Sequence, residues 1–370
     1  MFDLTPISEW LETNGKPAII SGPCSAETEE QVLKTAELLS QSGMVHALRA
    51  GIWKPRTRPD TFEGVGEIGL KWLQKAKANT GLKTAVEVAN GKHVEAALNH
   101  DIDILWIGAR TTVNPFSVQE IADALKGVDI PVMVKNPINP DLGLWIGAIE
   151  RVHKSGTNKI AAIHRGFSQY SESKYRNVPQ WEIPIELKRL IPQISLICDP
   201  SHIGGKRNMI EEISQKALDL NYSGLMIESH ITPDEAWSDR EQQVTPDTLV
   251  EIFASLTTRN SGVTDPLLEH NLEELREKID AIDDNLLELL STRMNVAEEI
   301  GRYKGQHNMT ILQTERWNEI LQRAMRKSTE KGLSKDFIQK YFNAIHQESI
   351  NHQVTVMNEQ KKSSKTEQNS

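Results

Sequence analysis

The chain has 370 residues, of which 38% are hydrophobic and 25% charged, and a formal net charge of −9. That length holds two domains on a prior of ~150 residues each, and the composition is that of a globular protein. The acidic balance gives no reason to expect nucleic acid as a partner, no apolar run approaches the ~18–20 residues of a membrane span, and two cysteines build no disulfide framework.

Rare cysteine suits a reducing cytosol, so a cytoplasmic location is expected. The opening segment MFDLTPISEWLETNG carries acidic residues and lacks the basic-then-apolar order of a signal peptide. Eight short apolar runs follow in chain order: AIISG, VHALRAG, KTAVEV, ILWIGA, PVMVKN, IAAIHRG, SLICDP and GLMIES. After them stand Cys24, Arg49, Glu87, Arg110, Lys135, Arg165, His202 and Glu228. The runs start roughly 20–40 residues apart, which leaves room for a crossover helix in each gap, such as TEEQVLKTAELLSQSG or GKHVEAALNH. They are nearly continuously apolar, as expected of strands covered on both faces. The pattern predicts an α/β fold, a (β/α)8 TIM barrel over residues 1–256, with its site at the C-terminal rim of the strands. A doubly wound open sheet is the competing architecture. Closure is favoured because eight units fill this length and functional residues follow units at both ends.

Gly, Pro, Ser, Thr and Asn cluster in TTRNSGVTDP, and residues 257–268 read as a linker. Beyond it the strand pattern vanishes. Apolar positions at Leu272, Leu275, Ile279, Ile282, Leu286, Leu290, Ala297 and Ile300 predict one amphipathic helix of about 35 residues, ~50 Å long. Such a helix needs a partner along its length. The segments TERWNEILQRAMRK and SKDFIQKYFNAIHQESINHQ complete an all-α helical domain over residues 269–355. The polar end, residues 356–370, is expected to be disordered.

Two sets of residues carry the chemistry of the barrel. A closed barrel would gather Cys24, His202, Glu228 and Asp239, because its first, seventh and eighth strand ends are neighbours. A thiolate, an imidazole and two carboxylates suit a borderline divalent ion, Mn, Fe, Co or Zn, rather than Ca. On spacing alone they also read as a packed thiol, a turn residue and surface acids. The second set is Arg49, Lys54, Arg56, Arg110, Lys135 and Arg165. Six cations on one rim repel each other unless an anion fills the space between them, so small, multiply anionic substrates are expected. Solvated loop charges would explain one or two of the six. Arg58 either extends the cluster or points to solvent.

The motifs GPCSAE (22–27), KPRT (54–57), IGAR (107–110), HRG (164–166) and DPSH (199–202), with Glu228 in MIESH and Asp239 in AWSDREQQVTP, resemble those of 3-deoxy-D-arabino-heptulosonate 7-phosphate (DAHP) synthases of type Iβ. In order, they cover nearly all of residues 17–245. The resemblance implies a condensation of phosphoenolpyruvate with erythrose 4-phosphate that releases phosphate. Arg49, Lys54, Arg110, Lys135 and Arg165 would hold phosphoenolpyruvate, and Arg56 and Thr57 would meet erythrose 4-phosphate. A divalent metal, Mn ahead of Fe, Co or Zn, would sit on Cys24, His202, Glu228 and Asp239. Lys54 would give a proton to the new alkoxide, and Glu87 would either order the attacking water or serve as a structural acid. The related 3-deoxy-D-manno-octulosonate 8-phosphate (KDO8P) synthases, which use arabinose 5-phosphate, resemble KANR where this chain reads KPRT, and this favours the shorter sugar. Arg58 stands where DAHP synthases commonly have Ser. No extra regulatory domain is expected before the barrel.

In the helical domain Arg293 and Lys304 lie 11 residues apart and share a face, whereas Arg276, roughly 25 Å from Arg293, lies on another. By themselves these read as solvated helix charges. If the helix pairs antiparallel with a copy of itself, the copy's Arg276 reaches the site. The run LREKIDAIDDNLLELLSTRMNVAEEIGRYK resembles the long first helix of all-α chorismate mutases, and Arg316, Ser349 and Gln353 follow at matching spacing within residues 270–353. The resemblance implies an intertwined helical dimer that rearranges chorismate to prephenate. Each site would take Arg293, Lys304, Arg316, Ser349 and Gln353 from one chain and Arg276 from its partner. Two positions depart from that family: Trp317 replaces a common Glu and Gln313 a frequent Asp. The common Glu contacts the substrate hydroxyl, but an indole only donates. The expected whole is a bifunctional enzyme of aromatic amino acid (shikimate pathway) biosynthesis, at least a homodimer, binding neither membrane nor nucleic acid, its synthase inhibited by prephenate or chorismate. The alternatives are a helical domain that is a weakly catalytic sensor and dimerisation module, or a barrel that is a KDO8P synthase.

Overall fold

The computed structural model describes residues 2–54, 62–170, 172–259, 262 and 266–368. Residues 1–261 and 262–370 form two separate compact units. In the first, β1 (Ala18–Gly22), β2 (Ala47–Ala50), β3 (Lys83–Val88), β4 (Ile104–Ile107), β5 (Val132–Lys135), β6 (Ile160–His164), β7 (Ser195–Cys198) and β8 (Gly224–Glu228) pair in sequence order. All pairs are parallel, and β8 returns to β1 in register from Ala18↔Gly224 to Gly22↔Glu228. The sheet is a closed barrel, and the open-sheet alternative is excluded.

Helix α1 (Ile7–Trp10) precedes β1. The crossovers carry α2 (Glu29–Gln41), α3 (Ile68–Thr80), α4 (Gly91–Asn99), α5 (Ala109–Thr112), α6 (Pro115–Ala124), α7 (Leu142–Lys154), α8 (Glu182–Leu190), α9 (Pro200–Gly204) and α10 (Ile210–Asp219), and α11 (Pro246–Ser255) follows β8. Local chemistry starts these helices. Thr28, Asn90, Asn114, Asp141, Asp199 and Thr245 each accept a backbone N–H in the first turn of the helix that follows. Pro115, Pro200 and Pro246 add a fixed φ where no donor is needed.

Successive strand residues face opposite sides. Inside the barrel pack Ala18, Ile20, Ala47, Ala85, Ile104, Trp106, Met133, Ala161, Ile163, Ile197 and Met226. Their strand neighbours, such as Ile19, Leu48, Val86, Leu105, Val132 and Cys198, pack outward against the helices. One step further along the inward face the series becomes Gly22, Arg49, Glu87, Gly108, Lys135, Arg165, Asp199 and Glu228. A polar layer thus rests directly on an apolar one. Below them, Ile7, Trp10 and Leu11 join the interior cluster, and the Ile7 amide donates to Ser195 Oγ at the start of β7 (3.0 Å). The N-terminal mouth is plugged, and the polar layer stands at the opposite end.

The second unit is all helical: α12 (Pro266–Gln306), α13 (Thr314–Glu330) and α14 (Lys335–Gln368). Met294 and Ala297 of α12 are buried with Ile338, Ile345, Ser349, Gln353 and Val356 of α14. Gly301 lets the two helices approach, since a Cβ there would stand 2.8 Å from Val356 and 2.9 Å from the Gln353 backbone. The first half of α12 leaves Leu272, Leu275, Ile279, Ile282 and Leu286 exposed. Over residues 356–368 the chain differs from the expected disorder, because α14 runs on through Gln368; residues 369 and 370 of that expectation lie outside the described residues. Val356 packs on Gly301, and Glu, Gln and Lys downstream are good helix formers that propagate a helix already nucleated.

No helix among the described residues is long and apolar enough to cross a membrane. At the barrel closure, a Cβ on Gly224 would fall 2.3 Å from the Ala18 carbonyl oxygen. Gly224→Ala is therefore expected to cost about 1–3 kcal/mol through overpacking. Differential scanning calorimetry should show the barrel transition several degrees lower.

Candidate active site

The polar layer is built from charge pairs over an indole floor. Arg49 Nη2 lies 3.1 Å from Glu228 Oε1, and Lys135 Nζ lies 2.8 Å from Asp199 Oδ2. Both cations sit over the Trp106 ring, Arg49 Cζ at 5.0 Å and Lys135 Nζ at 5.9 Å from its centroid. Trp106 Nε1 donates to Glu87 Oε2 (3.1 Å). Gly108 leaves the space for that carboxylate, since a Cβ there would stand 2.0 Å from Glu87 Oε1. Arg49 is 1% exposed, yet its Nε and Nη1 have no hydrogen-bond partner.

The four expected metal ligands stand as two pairs in the same region. Cys24 Sγ lies 3.3 Å from Asp239 Oδ2, and His202 Nε2 lies 3.7 Å from Glu228 Oε1. Among the described residues no three His, Cys, Asp or Glu side chains are gathered as tightly as a bound ion would hold them. Their chemistry nonetheless fits a divalent ion. Glu228 Oε1 is buried and accepts no hydrogen bond, while Oε2 is engaged by Gln242 (2.6 Å). Asp199 fixes His202 through Nδ1 (2.9 Å), the second contact that a metal-bound imidazole usually makes, and leaves Nε2 to face Glu228. Burial above all keeps the His202 pKa below its ordinary value, so the ring is neutral near pH 7. Burial pushes the Cys24 thiol up to about 12, with Glu228 adding to it and Lys54 opposing. Burial also works to raise Asp239 and Glu228, but cationic neighbours outweigh it and hold both carboxyls below their usual range. Two ionised carboxylates, a neutral imidazole and a thiol form a site that a cation would complete.

Lys54 Nζ donates to Cys24 Sγ at 2.8 Å. Burial disfavours its ammonium, but Cys24 and Glu228 outweigh burial and raise its pKa. Arg165 is buried and donates to Asn177 Oδ1 (2.7 Å), while its backbone amide donates to Asn136 Oδ1 (2.7 Å). Burial lowers its pKa to about 10, and the charges of Arg176 and Arg110 add to the shift. Arg110 itself is exposed on α5. Arg56, Thr57 and Arg58 lie outside the described residues. A cavity of about 630 Å³ opens on the Asp239 side, lined by Arg176, Gly205, Lys206, Asp239 and Gln242 among others.

Sequence reading missed several of these groups. Asp199 joins Lys135 to His202, and Trp106 forms the floor. Both could have been found by counting two residues on from Ile197 and Ile104 along the inward face. Arg176, whose Nη1 lies 3.0 Å from Asp239 Oδ1, comes from an irregular segment and gives no periodic signal.

In the helical unit, Arg293 Nη1 donates to Ser349 Oγ. Lys304 is buried, and its Nζ donates to the Ile311 carbonyl (2.6 Å). Gln353 is buried and its Oε1 is unpartnered. These four residues line the junction of α12 and α14. Arg316 is exposed and paired with Glu319 (2.8 Å) at the start of α13. Arg276 is exposed, paired with Glu273 (3.2 Å), and is not brought to Arg293 within one chain.

A closed (β/α)8 barrel with charged residues converging at its C-terminal rim defines a barrel enzyme. The chain belongs to the DAHP synthetase I family, whose model matches residues 5–262. Residues 275–354 match chorismate mutase type II, so a transferase domain and an isomerase domain are both present. The phospho-2-dehydro-3-deoxyheptonate aldolase of Thermotoga maritima is 30% identical over 254 residues, 69% of this chain and 72% of that one. The crystal structure of that aldolase, also called DAHP synthase, superposes with a TM-score of 0.58, covering 65% of this chain and 68% of its own. A 2-dehydro-3-deoxyphosphooctonate aldolase of Legionella pneumophila is 25% identical, over 64% of this chain and 89% of that one.

His164, of the HRG motif, is structural. It is buried between the Pro179 carbonyl (2.6 Å from Nε2) and the Tyr222 hydroxyl (3.0 Å from Nδ1). Burial pushes its pKa from 6.5 down to about 4. The folded barrel therefore refuses a proton that the unfolded chain accepts. The stabilisation from neutral His164 is whole above pH 6.5 and is lost as pH falls toward about 4. This one group is worth about 3 kcal/mol over that window. The unfolding temperature of His164→Gln should accordingly fall less than that of the wild type on acidification.

Proposed function

We propose that the barrel condenses phosphoenolpyruvate with erythrose 4-phosphate to give DAHP and phosphate, and that the helical unit rearranges chorismate to prephenate. The observation that carries the synthase reading is the pair of buried, unpartnered nitrogens on Arg49. A buried cationic donor left open is costly, and a carboxylate or phosphate supplies the missing acceptors.

Arg49, Lys54, Arg110, Lys135 and Arg165 hold phosphoenolpyruvate, and Arg56 and Thr57 meet erythrose 4-phosphate. A divalent ion on Cys24, His202, Glu228 and Asp239, Mn ahead of Fe, Co or Zn, would supply Lewis-acid polarisation of the aldehyde. The fixed cations aim carbon 3 of phosphoenolpyruvate at the aldehyde carbon. Lys54 delivers a proton to the alkoxide that forms, and its contact with Cys24 supports that role. The other cations steady the phosphate while water adds at carbon 2 and the hemiketal phosphate collapses. Glu87, already engaged by Trp106, anchors the floor of the site.

In the helical unit Arg293, Lys304, Arg316, Ser349 and Gln353 act with Arg276 of a second copy. The cations hold both carboxylates of chorismate in a compact conformer, and Lys304 stabilises charge at the ether oxygen. The exposed apolar half of α12 supports a homodimer. Prephenate or chorismate bound there lowers the synthase rate by allosteric coupling. Two free, buried cysteines suit a cytoplasmic enzyme. A second reading, a ligand sensor with weak turnover, is favoured by Trp317, which offers no acceptor to a substrate hydroxyl.

Phosphate release from phosphoenolpyruvate with erythrose 4-phosphate or arabinose 5-phosphate tests the barrel. Release is expected with erythrose 4-phosphate alone, lost with a chelator and restored by Mn. Release with arabinose 5-phosphate alone moves the barrel to the octulosonate reaction, and a full rate after metal stripping removes the ion. Lys54→Met should lower kcat by about 10²–10⁴-fold. Loss of chorismate absorbance measures the mutase, and an unchanged synthase rate in prephenate ends the feedback proposal.

A further inference from the structure

The face of α14 turned to α12 carries two buried polar atoms without partners, Nε2 of His346 and Oε1 of Gln353. His346, Ser349 and Gln353 stand at i, i+3 and i+7, one above the other on the helix. Ser349 is engaged by Arg293 of α12, and Lys304 of the same helix is buried nearby. Buried polar atoms are normally satisfied, so two vacant ones beside two cations mark a place for a ligand.

The His346 ring is held in a fixed plane. It stacks on Trp317 of α13, with centroids 4.0 Å apart and planes at 10°. Trp317 occupies the position where all-α mutases commonly carry a Glu, and His346 is the side chain stacked on it. Burial, with the charges of Arg293 and Lys304, holds the His346 pKa below its ordinary value. A neutral imidazole offers one nitrogen that accepts. Arg293, Lys304, Arg316 and Trp317 only donate. Carboxylates of a ligand would take up the cations, but a ring hydroxyl has a proton to give and needs an acceptor.

We propose that His346, held flat against Trp317, accepts the hydrogen bond of the ring hydroxyl of the mutase ligand through Nε2. His346 is thereby a specificity-determining residue of the helical site, and the Trp317–His346 pair replaces the missing Glu. This rests on the reading of the helical unit as a chorismate site. Gln353 Oε1 is the competing acceptor. Its amide also donates, whereas a neutral His346 keeps one nitrogen solely for accepting.

Calorimetry on the full chain tests this with two probes that the mutase does not consume, prephenate and its analogue lacking the ring hydroxyl. The wild type should prefer prephenate by at least about tenfold, since a site built for a hydroxyl rejects the ligand without one. His346→Leu should bind both probes alike, and His346→Asn, which keeps an acceptor, should retain part of the preference. Circular dichroism of each variant separates this from unfolding, and the Asn variant carries the test if the Leu variant does not fold. Full preference in His346→Leu overturns the proposal. So does loss of preference in Gln353→Leu with His346→Leu unaffected. A wild-type chain that binds neither probe would instead overturn the chorismate reading itself.

Discussion

The barrel depends on one constraint: strand alternation sets a ring of ionised side chains directly on a dry interior. Arg49 with Glu228 and Lys135 with Asp199 neutralise one another over Trp106. Breaking such a buried pair by removing one partner costs about 3–5 kcal/mol, so each carboxylate supports the fold. The pairing is incomplete by design of the register. Nε and Nη1 of Arg49 are left without an acceptor. Glycines at positions 22 and 108 of the same ring make room for the groups beside them.

Most of the barrel was legible because buried parallel strands are short, apolar and evenly spaced. The eight runs correspond to β1–β8, and closure followed from their number. The cations and acids after the strands were visible as residue types. Their partners were not, because a residue's role depends on register. Asp199 lay within a quoted motif, yet only its inward step after Ile197 reveals that it bridges Lys135 and His202. Trp106 looked like one more apolar letter in ILWI. Arg176 reaches Asp239 from 63 residues away through a segment with no period to read.

The helical unit carries the opposite problem. Its elements were plain from their 3–4 spacing, but its end was not. The polar composition after Val356 suggested a loose tail, whereas packing of Val356 on Gly301 continues the helix. Arg293, Lys304, Ser349 and Gln353 come from one helix junction rather than eight strand ends. Trp317 offers no acceptor at one position, and its ring stacks on His346 of the neighbouring helix.

The plug at the base of the barrel has a practical corollary. Ile7, Trp10 and Leu11 are buried at the mouth opposite the polar layer. An affinity handle or fusion partner attached ahead of them emerges at the end of the barrel opposite the polar layer. Trimming those residues to shorten the chain is a different matter. It would uncork the bottle beneath Trp106 and admit water under the ion pairs.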